Sequence, residues 1–231
     1  MKKIILNLLV LSTAIWAASF NEGDYAYNKG NYQDASKLWQ KKCNSGDSKS
    51  CNNLGVLYEN AQGVKKDYKK ASQLYKQACD QNKSDACYNL AILYQNGKGV
   101  KQNFAKTSEL FTKACDSGDA YACNNLGVLY KNGKGVKRNF TKASQLFNKA
   151  CASNIASGCY NLGVLYENAQ GLKQDYKKAK QLYQKACDSG DAHSCYNLGA
   201  LYKNGKGVIK DEKKANQLYE KACKDVGCSR K

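Results

Sequence analysis

Pairs of cysteines with seven residues between them return every 36 residues along this chain of 231 residues. Ten of the twelve cysteines obey the rule, as Cys43 with Cys51, Cys79 with Cys87, Cys115 with Cys123, Cys151 with Cys159, and Cys187 with Cys195. A period of this size is typical of solenoids built from helix pairs, in which equivalent residues occupy equivalent places in every repeat. The cysteine spacing therefore constrains the fold more than any other property of the sequence.

Five units of equal length follow one another without insertion or deletion, over residues 48–83, 84–119, 120–155, 156–191 and 192–227. In the first unit, Leu54 and Leu57 mark an apolar stripe at helical spacing, and Leu74 and Ala78 mark a second one. Each unit is therefore predicted to be a helix A, a turn and a helix B. Neither helix buries its stripe alone, so the units must stack.

The turn between the two helices is predicted from its glycine, asparagine and aspartate residues. In the first unit, Asn60 and Gly63 suit turn or left-handed conformations, and Asp67 is a candidate N-cap for helix B. A glycine also recurs inside helix A in four units, where it costs about 1 kcal/mol relative to alanine. We expect these glycines, Gly55, Gly127, Gly163 and Gly199, to mark close packing between helices.

Disulfide pairing is predicted within each cysteine pair. Equivalent cysteines of adjacent repeats would lie about 10 Å apart, one helix layer, which exceeds the reach of about 7 Å that a disulfide has between Cα atoms. A sixth pair, Cys223 with Cys228, has only four intervening residues and is expected to join the last helix to its tail. The spacing matches neither a redox C-x-x-C motif nor a zinc site, and His193 is the only histidine.

The N-terminus has the pattern of a secretory signal peptide. Lys2 and Lys3 precede an apolar run that ends at Trp16, and small residues follow, so residues 1–19 are predicted to be removed on export. Export to the periplasm or the extracellular space agrees with disulfide bonding. The chain carries 37 Lys and Arg against 19 Asp and Glu, which leaves +16 after the two signal lysines are lost. Such a charge favours acidic partners, although a solvated basic surface also accounts for it.

The repeat sequence resembles the SEL-one-like repeat, in stretches such as CYNLAILYQNGKGVKQNFAKTSELFTKAC, and the cysteine-rich variant is similar to the Helicobacter cysteine-rich protein family. The resemblance implies an all-α, right-handed α/α superhelical solenoid of tetratricopeptide or SEL-one-like repeats, with a concave groove and one disulfide per helix junction. We expect a single repeat domain over residues 20–231, with a capping helix pair at 20–47 and a tail at 228–231. Members of the family carry assignments as penicillin-binding proteins or slow β-lactamases and are associated with host immune responses.

An enzymatic function finds little support in the residues themselves. The serine β-lactamase motifs S-x-x-K, S-D-N and K-T-G are absent from the sequence, and a metal-dependent enzyme of that kind needs several histidines. A Ser-His-Asp arrangement could use only His193 with Ser194 and Asp191, and three such close neighbours in sequence have poor triad geometry. No catalytic residue is assigned, and neither a cofactor nor a metal is predicted.

Binding is the preferred functional hypothesis, with slow β-lactam hydrolysis as the alternative that the resemblance implies. One asparagine of helix A is identical in all five units, as Asn53, Asn89, Asn125, Asn161 and Asn197. Such a ladder could hold an extended peptide backbone, or each amide could satisfy a neighbouring loop or turn.

Beside the ladder, three positions of helix A change between units and share one side of the helix. The first position holds Lys49, Asp85, Tyr121, Ser157 and His193, and the second holds Asn52, Tyr88, Asn124, Tyr160 and Tyr196. The third holds Glu59, Gln95, Lys131, Glu167 and Lys203. From these, the predicted groove site takes the asparagine ladder together with Tyr88, Asn124, Tyr160, Tyr196, Gln95, Lys131 and Glu167. Unconstrained solvent exposure is the alternative explanation.

The expected partner is a peptide or protein, including one from a host, or a β-lactam or cell-wall fragment. We expect no nucleic acid partner, because most aromatic residues fall at core spacing and do not cluster with the basic ones. We also expect a monomer with no stable insertion into a membrane.

Overall fold

The computed structural model describes residues 21–226, within which all regular structure is α-helical. The predicted signal peptide, Cys228 and the tail lie outside these residues. Two N-terminal helices, α1 (Glu22–Asn28) and α2 (Tyr32–Asn44), precede the five units. Helix A of the units is α3 (Ser48–Asn60), α5 (Ser84–Asn96), α7 (Ala120–Asn132), α9 (Ala156–Glu167) and α11 (Ala192–Asn204). Helix B is α4 (Tyr68–Asp80), α6 (Phe104–Asp116), α8 (Phe140–Ala152), α10 (Tyr176–Asp188) and α12 (Glu212–Val226).

Each helix packs mainly against the helix before it and the helix after it in the chain. Most helices have 13 residues, which corresponds to about 20 Å at 1.5 Å per residue. Contacts that run only between successive elements are the defining property of a solenoid. The predicted all-α solenoid is therefore confirmed.

The disulfides covalently link helix B of one unit to helix A of the next. Five bridges join the predicted partners, with Cα–Cα distances of 4.7 Å in four bridges and 4.5 Å in Cys151–Cys159. Lysine side chains also bond to these links from the following unit. Lys113 Nζ donates to the Cys79 carbonyl at 2.6 Å, and Lys185 Nζ donates to the Cys151 carbonyl at 2.9 Å. A cation near the C-terminus of a helix also complements its dipole. The five pairings with seven intervening residues are confirmed.

The turn from helix A to helix B follows the predicted chemistry except at one residue. The Asp67 carboxylate accepts from the Lys70 backbone N–H at 2.9 Å, so Asp67 is the N-cap as predicted. Gly63 has a left-handed backbone, also as predicted, but Asn60 remains helical. Ala61 takes the left-handed conformation that closes helix α3, with φ at 59°. Helix α3 thus runs one residue further than the asparagine suggested.

The last glycine of each turn packs against helix B of the preceding unit or, in the first unit, against α2. At Gly135, where φ is +72°, a Cβ atom would lie 2.2 Å from the Phe104 carbonyl oxygen. Equivalent approaches bring Gly63 to Tyr32, Gly99 to Tyr68, Gly171 to Phe140 and Gly207 to Tyr176. The turns therefore hold the register between neighbouring units.

The glycines inside helix A allow an aromatic ring of helix B to approach the helix backbone. A Cβ atom on Gly127 would lie 2.6 Å from the Phe147 ring, and one on Gly163 would lie 2.7 Å from the Tyr183 ring. Phe147 and Tyr183 are fully buried. The close packing predicted from the recurring glycines is confirmed.

Candidate functional site: the helix A face

The helix A face is the side of α3, α5, α7, α9 and α11 that carries the asparagine ladder and the three changing positions. All twelve predicted groove residues lie within the described part of the chain, and most are half-buried. The exceptions are Asn124 and Asn161, which are buried, and Tyr196, which is 59% exposed. The face is thus a row of partly accessible polar and aromatic groups that runs across the units.

The ladder amides bond from one unit to the next. The Asn89 amide donates from Nδ2 to Asn52 Oδ1 at 3.1 Å, and the Asn161 amide donates to Asn124 Oδ1 at 3.0 Å. These pairs are 37 residues apart in sequence, so each bond crosses the boundary between two stacked helices A. The ladder therefore ties together the helices on which a ligand would rest.

Other rungs use different acceptors. The Asn125 amide donates to the Tyr88 hydroxyl at 3.3 Å. Asn197 partly offsets the rise that burial produces in the pKa of the Tyr183 phenol. At the N-terminal end, Asn53 Nδ2 lies 3.5 Å from an Asp24 carboxylate oxygen. The invariant asparagine thus has a hydrogen-bond partner in each of the first four units, and that partner changes with the neighbouring residue.

The third changing position forms a pair within its own unit where it is glutamate. The Tyr75 hydroxyl donates to Glu59 at 2.9 Å, and the Tyr183 hydroxyl donates to Glu167 at 2.7 Å. Burial, together with the adjacent carboxylate, raises the pKa of both phenols above the ordinary tyrosine value. In the second and third units the equivalents of Tyr75 are phenylalanines, and glutamine or lysine replaces the glutamate.

Aromatic side chains of the first and second changing positions meet at unit boundaries. The rings of Tyr160 and His193 have centroids 6.1 Å apart. The equivalent residues two units earlier are Tyr88 and Tyr121, and burial is the main cause of the raised Tyr88 pKa. Tyr121 is 61% exposed. The Tyr160–His193 pair and the exposed Tyr121 thus give the helix A face aromatic groups in three of its units.

Two cavities open along this face. One, of about 320 Å³, lies between the second and third units and is lined by Gln95, Asn125, Phe104 and Lys134, among other residues. It brings together two predicted site residues, Gln95 and Asn125, with residues of the following turn. A polar cavity beside an aromatic ring suits a hydrogen-bonding side chain of a ligand.

The second cavity, of about 300 Å³, includes residues that the sequence analysis did not select. It is lined by Asp24, Tyr27, Asn28, Trp39, Asn53 and Val56. Asp24 is its polar centre, because it accepts from Trp39 Nε1 at 3.1 Å and from Lys49 Nζ at 2.6 Å. Only Asn53 was predicted, since α1 and α2 stand outside the exact repeat and offer no equivalent positions to compare.

The His193 region does not form a catalytic triad. Ser194 is fully buried, and its hydroxyl has no hydrogen-bond partner among the described residues. The Asp191 carboxylate caps helix α11 by accepting from the Ser194 backbone N–H at 2.6 Å. His193 is exposed and faces Tyr160. The serine hydroxyl is therefore inaccessible to a substrate.

Within residues 21–226, no three histidine, cysteine, aspartate or glutamate side chains are grouped as metal ligands would be. None of the helices described for this chain combines the length and the apolar content needed to cross a bilayer.

Stacked helix pairs, a disulfide at each joint and a polar and aromatic face along helix A together define a helical-repeat scaffold for protein interaction. The Sel1 repeat model matches residues 48–83, 84–119, 120–155, 156–191 and 192–225. The chain belongs to the Sel1 repeat family.

Relatives of known structure share the fold. A Sel1 repeat protein from Oxalobacter formigenes is 33% identical, with a TM-score of 0.81, over 88% of this chain and 83% of that one. The protective antigen c5321 of uropathogenic Escherichia coli, which displays an SLR fold, is 27% identical, with a TM-score of 0.80, over 84% of this chain and 41% of that one.

A curated relative supports the resemblance to the Helicobacter cysteine-rich proteins. HcpE of Helicobacter pylori strain J99, which has a provisional beta-lactamase name, is 39% identical over 66 residues. The match covers 27% of this chain and only 19% of HcpE. The chain thus spans about a fifth of that relative, and the activity of the whole relative does not follow from the match.

Proposed function

We propose that this protein is an exported scaffold that binds an extended segment of a partner protein along the helix A face. The observation that carries the proposal is the contact of Tyr160 with His193, together with the exposed Tyr121 and Tyr196, on a face tied together by the asparagine ladder. Aromatic side chains are the commonest anchors of protein interfaces. The disulfides support the proposal, because a clamped surface loses little conformational freedom on binding.

Export and contact with a host belong to the same proposal. The five bridges support an oxidising compartment, where structural disulfides form and persist. The structural relative described as a protective antigen supports a partner from a host. We therefore place the partner outside the cytosol.

Peptide selection tests the binding proposal. Peptides are selected from a random library on the oxidised protein, and their affinities are measured by calorimetry for the wild type, for Tyr121→Ala/Tyr196→Ala and for Tyr25→Ala. Both targeted tyrosines are more than half exposed, and so is Tyr25, which lies on α1. We expect the double variant to weaken binding at least about tenfold, the usual effect of removing an aromatic anchor, and the α1 variant to bind normally. Equal affinities for all three proteins would exclude the helix A face.

Slow β-lactam hydrolysis is the second candidate, supported by the provisional name of HcpE. It lacks an assigned nucleophile, since Ser194 is buried. Nitrocefin turnover by the oxidised protein, compared with reduced and unfolded protein, tests it. Turnover that disappears on reduction would support β-lactam hydrolysis by the folded protein. Equal rates for the oxidised and the reduced, unfolded protein would exclude it.

A further inference from the structure

The two long edges of the solenoid differ in charge. The turn edge consists of the A-to-B turns and the first turn of each helix B, residues 60–70, 96–106, 132–142, 168–178 and 204–214. The cysteine edge consists of the B-to-A joints, residues 41–51, 77–87, 113–123, 149–159 and 185–195. The turn edge carries 18 Lys and Arg against four Asp and Glu, and the cysteine edge carries seven of each. Of the net +18 of the chain, +14 therefore lies along one edge.

The charges of the turn edge are exposed and mostly lack acidic partners. All of its basic side chains except Lys70 are exposed, and Lys70 is half-buried. Among the described residues, only Lys178 with Asp175, at 4.0 Å, and Lys210 with Glu212, at 2.9 Å, form ion pairs on this edge. Exposed cations without neutralising carboxylates produce a field that attracts a polyanion.

Aromatic rings hold many of these cations in place. Lys98 lies over the Tyr68 ring at 5.2 Å, and Lys206 lies over the Tyr176 ring at 5.3 Å. Lys134 lies over the Phe104 ring at 5.6 Å in the same way. Each of these lysines stands between the two glycines of its turn and reaches back to helix B of the preceding unit. The packing of the turns thus places a cation at each of three unit boundaries.

From this arrangement we infer that the turn edge binds a linear acidic glycan, a sugar chain that carries sulfate, carboxylate or phosphate groups. A linear polyanion can follow a row of cations that recurs with each helix layer, about every 10 Å. The turn edge meets the helix A face at the cavity lined by Phe104 and Lys134. The inference rests on the row of cations and not on that cavity, so it does not depend on the proposed function.

A bilayer and a nucleic acid fit the same surface less well. Of the large apolar side chains recorded as exposed, only Ile209 lies on the turn edge, whereas interfacial binding needs an apolar face to insert. The rotation between repeats also turns successive units away from a single plane. A single-stranded nucleic acid needs open aromatic faces for its bases, and lysines cover the rings of Tyr68, Phe104 and Tyr176.

Two variants of equal charge test the inference. Lys66→Gln/Lys98→Gln/Lys206→Gln removes three exposed cations from the turn edge, and Lys41→Gln/Lys149→Gln/Lys221→Gln removes three exposed cations near the helix B C-termini. Glutamine already occupies the position of Lys98 and Lys206 in the first and fourth units, as Gln62 and Gln170. It also occupies the position of Lys66 in the second and fourth units, as Gln102 and Gln174, so glutamine is compatible with the fold. Circular dichroism and mass under non-reducing conditions check that both variants fold and keep their bridges.

Affinity for a heparin oligosaccharide is measured at 0.15 M salt. We expect the turn-edge variant to bind about tenfold more weakly and the other variant to lose less than about threefold, because each exposed charge contact changes affinity a few-fold at most. Equal losses of affinity in the two variants would overturn the inference, because they would show that only net charge matters. Absence of heparin binding to the wild type would also overturn it. A single-stranded oligonucleotide or phosphatidylglycerol vesicles, compared at equal charge, would overturn it by binding more tightly than the glycan. Peptides selected for the helix A face should bind both variants normally.

Discussion

Two alanines stand where three equivalent turns have glycine. Ala61 and Ala169 have φ values of 59° and 54°, a left-handed conformation that costs an L-residue about 1–2 kcal/mol. We expect Ala61→Gly and Ala169→Gly each to raise the free energy of unfolding by about 0.5–1 kcal/mol, since the gain exceeds the entropy that glycine adds to the unfolded chain. Urea unfolding of the oxidised protein measures the effect.

The matched control is Gly97→Ala, which introduces the same strain in the second unit, where φ is +69°. It should destabilise the protein by about 1 kcal/mol. If the alanine-to-glycine variants were destabilised, relief of backbone strain would not be the governing effect.

The buried phenols predict a dependence of stability on high pH. Tyr75 and Tyr183 have pKa values raised above 10.0 in the folded protein, whereas the unfolded chain releases these protons near pH 10. The contribution of these two phenols to the free energy of unfolding is therefore complete below pH 10, and it is lost as pH rises further. The free energy of unfolding should fall by about 1.4 kcal/mol per pH unit for each tyrosine.

Tyr75→Phe/Tyr183→Phe should remove this part of the slope, measured by urea unfolding between pH 9 and pH 12. Phenylalanine already occupies the equivalent places as Phe111 and Phe147, so the core accepts it. Tyr25→Phe on α1 is the control, and it should leave the slope unchanged because this side chain is more than half exposed. An unaltered slope in the double variant would mean that neither phenol is protected in the folded state.

At the level of the elements, the turns hold adjacent units in register. Gly133 and Gly135 have φ values of +68° and +72°, so alanine is equally strained at either place. A Cβ atom at Gly135 meets the Phe104 backbone oxygen at 2.2 Å, whereas one at Gly133 comes no closer than 3.2 Å to the Arg138 side chain. Gly135→Ala should therefore cost about 2 kcal/mol more than Gly133→Ala, within the usual range for overpacking. Equal thermal shifts of the two variants would argue against the contact between units.

The sequence predicted the helices, the five bridges with seven intervening residues and the N-cap, because each depends on residues within one period. It left the asparagine ladder open, because the acceptor for Asn89 is Asn52 in the neighbouring helix A. The sequence identifies the hydrogen-bond donor, because this asparagine is identical in all five units. The packing of one helix A against the next decides which residue accepts the hydrogen bond. The cavity around Asp24 and Trp39 was missed for a related reason, since α1 and α2 have no counterparts in the repeat.

For the molecule as a whole, stability should be distributed unit by unit. Removing one bridge by Cys115→Ser/Cys123→Ser opens a loop of nine residues and should cost about 2.5 kcal/mol by the loop-entropy relation. Because each unit contacts only its neighbours, the loss of amide protection should centre on α6 and α7 and leave α1 to α3 nearly unchanged. Hydrogen exchange followed by mass spectrometry measures this, and an even loss along the chain would contradict it.

The molecule also separates its possible binding surfaces. The cysteine edge has equal numbers of basic and acidic residues and carries the disulfides. The turn edge holds most of the net charge, and the helix A face carries the exposed Tyr121 and Tyr196. Residues of the cysteine edge and the turn edge largely repeat with the period of 36 residues, whereas several residues of the helix A face change from unit to unit. Partner specificity is therefore expected at the positions of helix A that change between units.

The central claim is that each cysteine pair clamps one helix joint and so keeps the helix A face rigid. Tryptic mapping of the purified protein under non-reducing conditions tests it directly. Three bridges should appear within single peptides, each two hydrogens lighter than its reduced form, namely residues 114–131, 150–173 and 186–203. The other two should link residues 43–49 to 50–65 and residues 77–83 to 84–98. Links between equivalent cysteines of adjacent units, such as Cys79 with Cys115, would contradict the stacked and clamped solenoid.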